Sequence, residues 1–251
     1  MIMHKLIFQY LKHGDDKDFY LLQAKDTVRW MECAGVEMGD GVTALDLGCG
    51  HGMIGAELIK RGCQVVFADE VRYLLPEYGD SDFRLIDIEK DDLDSLGQYD
   101  LVICSNVLEH ISCPERLIGS MDRILKPGGK LYLGWTNGLS PWWGHEFAPL
   151  HYLGAERGAL VYDKLMGRPR KHTPYVDLFP ISIGRTLKLV RQCPSLRVLR
   201  VVPRFYPELA FITRIPLLRE FLTFNCVILV ESLSCTQGAA PGNPGGGARP
   251  S

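Results

Sequence analysis

The chain has 251 residues, 46% of them hydrophobic and 23% charged, which is ordinary for a soluble globular protein and enough for a full core. A formal net charge of -2 removes any general electrostatic reason to bind nucleic acid. The charge is uneven, with seven acids from Asp80 to Asp94 and a basic second half that includes Arg168, Arg170, Lys171, Arg197 and Arg204, so any attraction for a ligand is local.

The eight cysteines sit singly in apolar text with no Cys-x-x-Cys pair, which reads as reduced core thiols. The opening "MIMHKLIFQYLKHG" has too short an apolar run and no small-residue cleavage pattern for a secretory signal. No stretch offers the roughly 20 uninterrupted apolar residues of a membrane-spanning helix. A cytoplasmic address is expected, and the oligomeric state is open.

Along the chain, 17–35 carries apolar residues near helical spacing and ends in glycine, predicting an opening helix. An alternation then begins: strand at 41–48, helix at 53–62, strands at 63–70, 83–88 and 99–106, helix at 114–129 and strand at 130–137. Strands alternating with helices call for a mostly parallel sheet covered on both faces, a doubly wound α/β fold. Residues 138–180 break the rhythm and are too long for a plain connection, which predicts an inserted cap after the fifth strand. A helix around 181–193, strands at 196–205 and 224–232 and a short amphipathic helix within 207–223 follow. The chain is expected to form a single domain over 1–234, with a disordered glycine- and proline-rich tail at 235–251.

The stretch "ALDLGCGHGMIG" at 44–55 holds two glycine fingerprints. Gly50-x-Gly52-x-x-Gly55 fits a dinucleotide, whose pyrophosphate sits on a bare helix N-terminus. Asp46 entering the turn would oppose that charge but would attract the cationic sulfonium and ammonium of S-adenosylmethionine, so Asp46-x-Gly48-x-Gly50-x-Gly52 is favoured. Asp69, with Glu70 beside it, lies where a ribose-binding acid ends the second strand. Asp87 and Ile88 end the third strand, where they could meet an adenine amino group and ring.

These motifs, together with "YDLVICSNVLEHI" at 99–111 and "LKPGGKLYL" at 125–133, resemble the class I S-adenosylmethionine-dependent methyltransferases. The "NVLEHI" text is similar to the branch that includes the ubiquinone-biosynthesis O-methyltransferases. The resemblance covers about residues 40–137 and implies a seven-stranded Rossmann-like sheet with an antiparallel last strand. It implies S-adenosylmethionine as cofactor, held by Asp46, Gly48, Cys49, Gly50, Gly52, Asp69, Glu70, Asp87, Ile88 and Asn106. Phe67 departs from the pattern, standing where glycine is common before the ribose acid.

Methyl transfer from a sulfonium is an in-line displacement that needs alignment and water exclusion, and a hydroxyl acceptor also needs a base. His110 and His145 are the candidate bases. Trp142, Trp143, Phe147, His151 and Tyr152 are candidate substrate walls in the cap, and Arg168, Arg170 and Lys171 could receive an anionic group. No residue cluster shows metal-ligand spacing. The expected function is methylation of a small molecule, most simply at oxygen, with nitrogen, carbon or a membrane-associated lipid acceptor open. A nicotinamide-dependent dehydrogenase and a non-catalytic cofactor-binding module are the alternatives, and "LAFITRIPLLREFLTF" raises peripheral membrane contact.

Overall fold

The structure, a computed structural model, describes residues 17–141, 143, 145–167 and 170–233. The tail at 235–251, the opening segment, Trp142 and Arg168 lie outside the described residues. Helix α1 (Lys17–Cys33) is closed by Gly35 at φ +84°, a left-handed turn that glycine takes without strain. Seven strands follow: β1 (Thr43–Leu47), β2 (Gln64–Asp69), β3 (Phe83–Leu85), β4 (Tyr99–Ser105), β5 (Leu125–Thr136), β6 (Leu196–Pro203) and β7 (Asn225–Ser232). They form one sheet in the order β3-β2-β1-β4-β5-β7-β6. The pairs from β3 across to β5 are parallel, and β7 runs antiparallel to both neighbours, wedged between β5 and β6.

Both faces of this sheet are covered, as parallel strands require. Because side chains alternate along a strand, Leu45, Leu47, Val102, Cys104, Leu131 and Leu133 enter one core cluster. They meet Leu117 and Met121 of α3 (Pro114–Ile124) and Leu187 and Val190 of α5 (Ile183–Gln192) there. Ala44, Leu101, Ile103 and Tyr132 enter the other cluster, with Val28 and Met31 of α1 and Leu58 of α2 (Met53–Ile59). Ser182 caps α5 by accepting a hydrogen bond from the Arg185 N–H at 3.2 Å.

Three local readings differ from the sequence expectation. The text at 114–129 is not one helix: α3 stops at Ile124 and β5 starts at Leu125. Pro127 has no N–H to continue a helix and Gly128 sits at φ +80°, so the pairing skips from Tyr99↔Leu125 to Leu101↔Lys130 and the residues between bulge out. Strand β3 is three residues long, because the chain turns at Asp87, whose carboxylate accepts from the Glu89 N–H. The 207–223 segment is a 3-10 turn (Pro207–Arg214) followed by α6 (Pro216–Leu222), with Ile215 extended between them.

Residues 138–180 hold two short 3-10 turns and helix α4 (Ala155–Met166) around a small core of their own: Trp143, Phe147, Ala159 and Leu178. Both ends of the segment are tied down at the carboxyl end of the sheet. The Gly138 N–H donates to the Ile181 carbonyl at 2.9 Å, and the Phe179 N–H to the Glu109 carbonyl at 2.7 Å. All seven described cysteines are free thiols.

Candidate active site

The strand order reverses direction at β1 and β4, and ligands of open α/β sheets bind outside the carboxyl ends at such a point. A cleft of about 320 Å³ lies there. Its wall takes Gly48 from the loop after β1, Asp69 and Glu70 from the end of β2, Asp87 and Ile88 from beyond β3, and Asn106, Val107 and His110 from beyond β4. Four separate stretches of text thus meet in one place.

The glycine loop is shaped by close approach. Gly48, Gly50 and Gly52 all have positive φ, and a Cβ on Gly48 would lie 2.3 Å from the Val107 side chain. The Gly48 N–H donates to the Ala68 carbonyl at 2.8 Å. The Asp69 carboxylate is fixed by two backbone donors, Gly50 N–H on Oδ2 and Glu70 N–H on Oδ1, both at 2.8 Å. Each oxygen retains a further lone-pair site, which suits a ribose diol. Glu70 is exposed beside it.

Asp46 is placed differently from the expectation that it faces the cofactor. It is buried beneath the loop, off the cleft wall, and its Oδ2 accepts the Gly55 N–H at 2.8 Å. Burial, with the nearby Asp69 charge and against the Gly55 hydrogen bond, pushes its carboxyl up to about 7. Its direct role is to tie α2 to β1 under the loop. Cys49, Gly50 and Gly52 continue the loop from Gly48, with open space over Gly50.

A Cβ on Gly55 would sit 2.3 Å from the fully buried Phe67 ring, and one on Gly52 would sit 3.1 Å from it. The aromatic at 67 therefore occupies the space that these glycines leave. Asp87 pairs with Lys90 at 2.6 Å, and that hydrogen bond holds its carboxyl below the usual range. Ile88 is partly buried against the core. Asn106 has φ +59°, and its side-chain oxygen accepts from Arg204 at 2.9 Å and from Asn225 at 3.3 Å, so that oxygen is held by the protein while the residue stands on the cleft wall. Arg204, buried and also bonded to Thr27 at 3.0 Å, was not foreseen; a lone arginine after a strand carries no spacing signal.

His110 and His145 are brought together, with ring centroids 5.8 Å apart. A third imidazole, His172, completes the group at 5.5 Å from His110 and 4.9 Å from His145. It too escaped the sequence reading, because only the return of the insert past the cleft places it there. His110 Nδ1 lies 2.7 Å from the Asp177 carbonyl oxygen. A carbonyl can only accept, so Nδ1 carries the hydrogen and Nε2 has the free lone pair. His145 has a buried Nε2 with no protein partner, and burial reinforced by the two neighbouring imidazoles lowers it to about 4, leaving it neutral at pH 7. Beneath them Glu109 is fully buried, accepts the Thr136 N–H at 2.9 Å and is raised by that burial.

The expected substrate walls are corrected in part. Trp143 and Phe147 pack edge to face at 6.3 Å inside the insert, and neither lines the cleft. A 43-residue insert without a sheet behind it must first bury its own aromatics. His151 is buried against Trp143, whereas Tyr152 is exposed and donates its hydroxyl to the Leu139 carbonyl at 2.9 Å. Arg170 is ion-paired with Asp163 and is not open to an anion, while Lys171 is exposed. Among the described residues no group of three histidine, cysteine or acidic side chains is arranged to hold a metal ion, the three imidazoles included.

Residues 45–131 match the family described as a methyltransferase domain. An uncharacterised methyltransferase of Mycobacteroides abscessus is 32% identical over 227 residues, covering 85% of this chain and 86% of that protein. The fold is similar to an S-adenosylmethionine-dependent methyltransferase from Mesorhizobium loti, with a TM-score of 0.55 at 21% identity over 79% of this chain and 94% of that one. It is also similar to the magnesium protoporphyrin IX methyltransferase of Synechocystis PCC 6803 with bound SAH, with a TM-score of 0.51 at 18% identity over 85% and 83%. At such identities the two structures establish the shared fold.

Proposed function

Because the chain belongs to the methyltransferase family, we propose that it transfers the methyl group of S-adenosylmethionine to a hydroxyl oxygen of a small molecule, with His110 as the base. The observation that carries the oxygen reading is His110 itself: it lies on the cleft wall, and the Asp177 carbonyl fixes the tautomer that leaves Nε2 able to take a proton. The "NVLEHI" similarity to the ubiquinone-biosynthesis O-methyltransferases supports the same choice.

The residues present fit the donor. Asp69 would hold the ribose hydroxyls, Glu70 would stand beside it, Asp87 and Ile88 would meet the adenine, and the bend at Gly48 would let the backbone approach closely. When bound, the donor supplies a methyl group already activated on sulfonium, so the protein supplies alignment and dryness. The insert contributes to dryness by returning over His110 through Asp177 and His172. Neutral His145 packs next to His110 and places no competing charge beside it.

A dehydrogenase reading is disfavoured at one atom. The Gly55 N–H, which a pyrophosphate would need on the helix N-terminus, already donates to Asp46. The free thiols support a reducing, cytoplasmic setting.

The test supplies the full chain with isotopically labelled donor and phenolic, carboxylic and amine acceptors, and reads products by mass spectrometry. Label on oxygen, with His110→Ala lowering kcat by roughly a hundredfold or more and leaving affinity for S-adenosylhomocysteine within about threefold, supports the proposal. Label only on nitrogen or carbon overturns the oxygen reading. Donor binding with no product from any acceptor class overturns catalysis itself.

A further inference from the structure

Helix α4 presents an unexpected face to water. Its outward residues Arg157, Leu160, Val161, Lys164 and Leu165 follow the i, i+3, i+4, i+7, i+8 spacing of one helical stripe. Leu160 is 64% exposed and Leu165 71% exposed, while the inner side is made of Gly158 and Ala159, the former against the Leu150 carbonyl. A helix that only caps a protein in water turns a polar side outward; this one turns Leu160, Val161 and Leu165 outward together with its charges.

The second apolar surface is the chain between β6 and β7. Helix α6 buries none of its residues, and Leu217 is 73% exposed with Leu218, Phe221 and Leu222 beside it. Phe211, 57% exposed, and Ile215 extend this surface along the preceding turn. Of the 23 large hydrophobic side chains exposed among the described residues, 16 fall within 138–180 and 207–223, so the apolar exposure is concentrated and not scattered. Both segments hang from the same end of the sheet. The insert leaves at the carboxyl end of β5, and α6 is tied there by the Asn137 side-chain amide, which donates to the Glu220 carbonyl at 2.6 Å and to the Thr223 carbonyl at 3.2 Å.

Charge selects the occupant. On the two faces Arg157, Lys164 and Arg214 are exposed among these apolar side chains, with Glu156 and Glu208, and the insert adds exposed Lys171 and the half-exposed side chain of Asp177. The acidic residues 80–94 sit around β3, at the opposite edge of the sheet. Long cationic side chains lie along apolar surface and keep their heads in water, the arrangement of interfacial helices on anionic lipid. A symmetric contact between two copies of the same patch would set these cations against each other.

We propose that the protein docks peripherally on an anionic lipid bilayer through the outward faces of α4 and of the segment from Pro207 to Leu222. These side chains enter the headgroup boundary, and the cations neutralise lipid phosphates around them. No described helix is long and apolar enough to cross a membrane, so the contact is on the surface. The proposal does not depend on which atom is methylated, and vesicle binding is measured without any methyl donor.

The full chain is sedimented with vesicles of phosphatidylcholine alone and of phosphatidylcholine with about one third phosphatidylglycerol, across a salt series. Binding to the anionic vesicles is expected to be at least about tenfold tighter than to the neutral ones and to weaken with salt. Both Leu165 and Leu217 are exposed, so Leu165→Glu with Leu217→Glu removes apolar contact without opening a cavity; it is expected to lower binding by roughly tenfold or more at an unchanged melting temperature. Lys164→Glu with Arg214→Glu leaves the apolar residues in place and is expected to abolish the preference for anionic vesicles. Absence of vesicle binding, binding untouched by both variants, or a concentration-dependent dimer that Leu165→Glu with Leu217→Glu dissolves would overturn the proposal.

Discussion

Gly55 and Phe67 are packed so closely that substitutions at the two positions are coupled. A methyl group on Gly55 would lie 2.3 Å from Phe67 Cε1, 2.8 Å from Cζ and 3.0 Å from the Asp46 carboxylate, against the roughly 3.5–4.0 Å of ordinary carbon contacts. The ring is fully buried and cannot swing aside, so Gly55→Ala overpacks the site at a cost of about 1–3 kcal/mol. In a chain of this size that lowers Tm by roughly 2–12 °C. Gly55 lies within α2 and needs no positive φ, so the backbone itself accepts alanine and helix propensity favours it by about 1 kcal/mol. Phe67→Ala alone opens a cavity costing about 3–5 kcal/mol. In that background the two ring contacts are gone and only the 3.0 Å approach to the Asp46 carboxylate remains, so adding Gly55→Ala should cost much less than it does beside the ring. Urea unfolding of the four proteins gives the coupling energy, expected at about 1–3 kcal/mol in the direction of mutual relief. Strictly additive effects would refute the view that these glycines exist to admit the ring.

Asp46 gives a pH dependence with a definite sign. Its folded pKa of about 7 lies above the unfolded value, so the native state binds the extra proton, and stability through this group is full below about pH 4 and lost as pH rises to 7. Asp46→Asn, whose amide oxygen can still accept the Gly55 N–H, should gain on the order of 2 kcal/mol relative to the parent between pH 5 and pH 8; equal slopes in urea unfolding would exclude the buried-acid account. Asp69→Ala should weaken S-adenosylhomocysteine binding by roughly tenfold to a hundredfold in calorimetry, because a charge-assisted pair of hydrogen bonds is lost. Glu70→Ala should change it by less than about threefold, and the reverse ranking would move the ribose contact to Glu70.

The glycine loop, the acid ending β2 and the alternation of strands with helices were legible because each is a local demand: a tight turn needs positive φ, and a doubly covered strand needs a continuous apolar run. Asp46 shows where that reading stops. Its charge and position in the text are plain, yet only the packing of α2 over β1 shows that the carboxylate faces Gly55 and loses its full charge to burial. Trp143 and Phe147 are a second case, since an aromatic in an insert reads the same whether it lines a cleft or fills the insert's own core.

The alternation of strands with helices and the loop around which the donor would bind are legible in the residues themselves, because they follow from backbone periodicity and from glycine, whereas the seven strands with an antiparallel end are what the family resemblance implies. Only the assembled fold brings His110, His145 and His172 together, commits the Asn106 side-chain oxygen to Arg204, and turns the leucines of α4 outward. Each of these depends on contacts between segments 27 to 98 residues apart in the chain, or on which side of a helix the rest of the protein covers, and no local pattern of residue types encodes either.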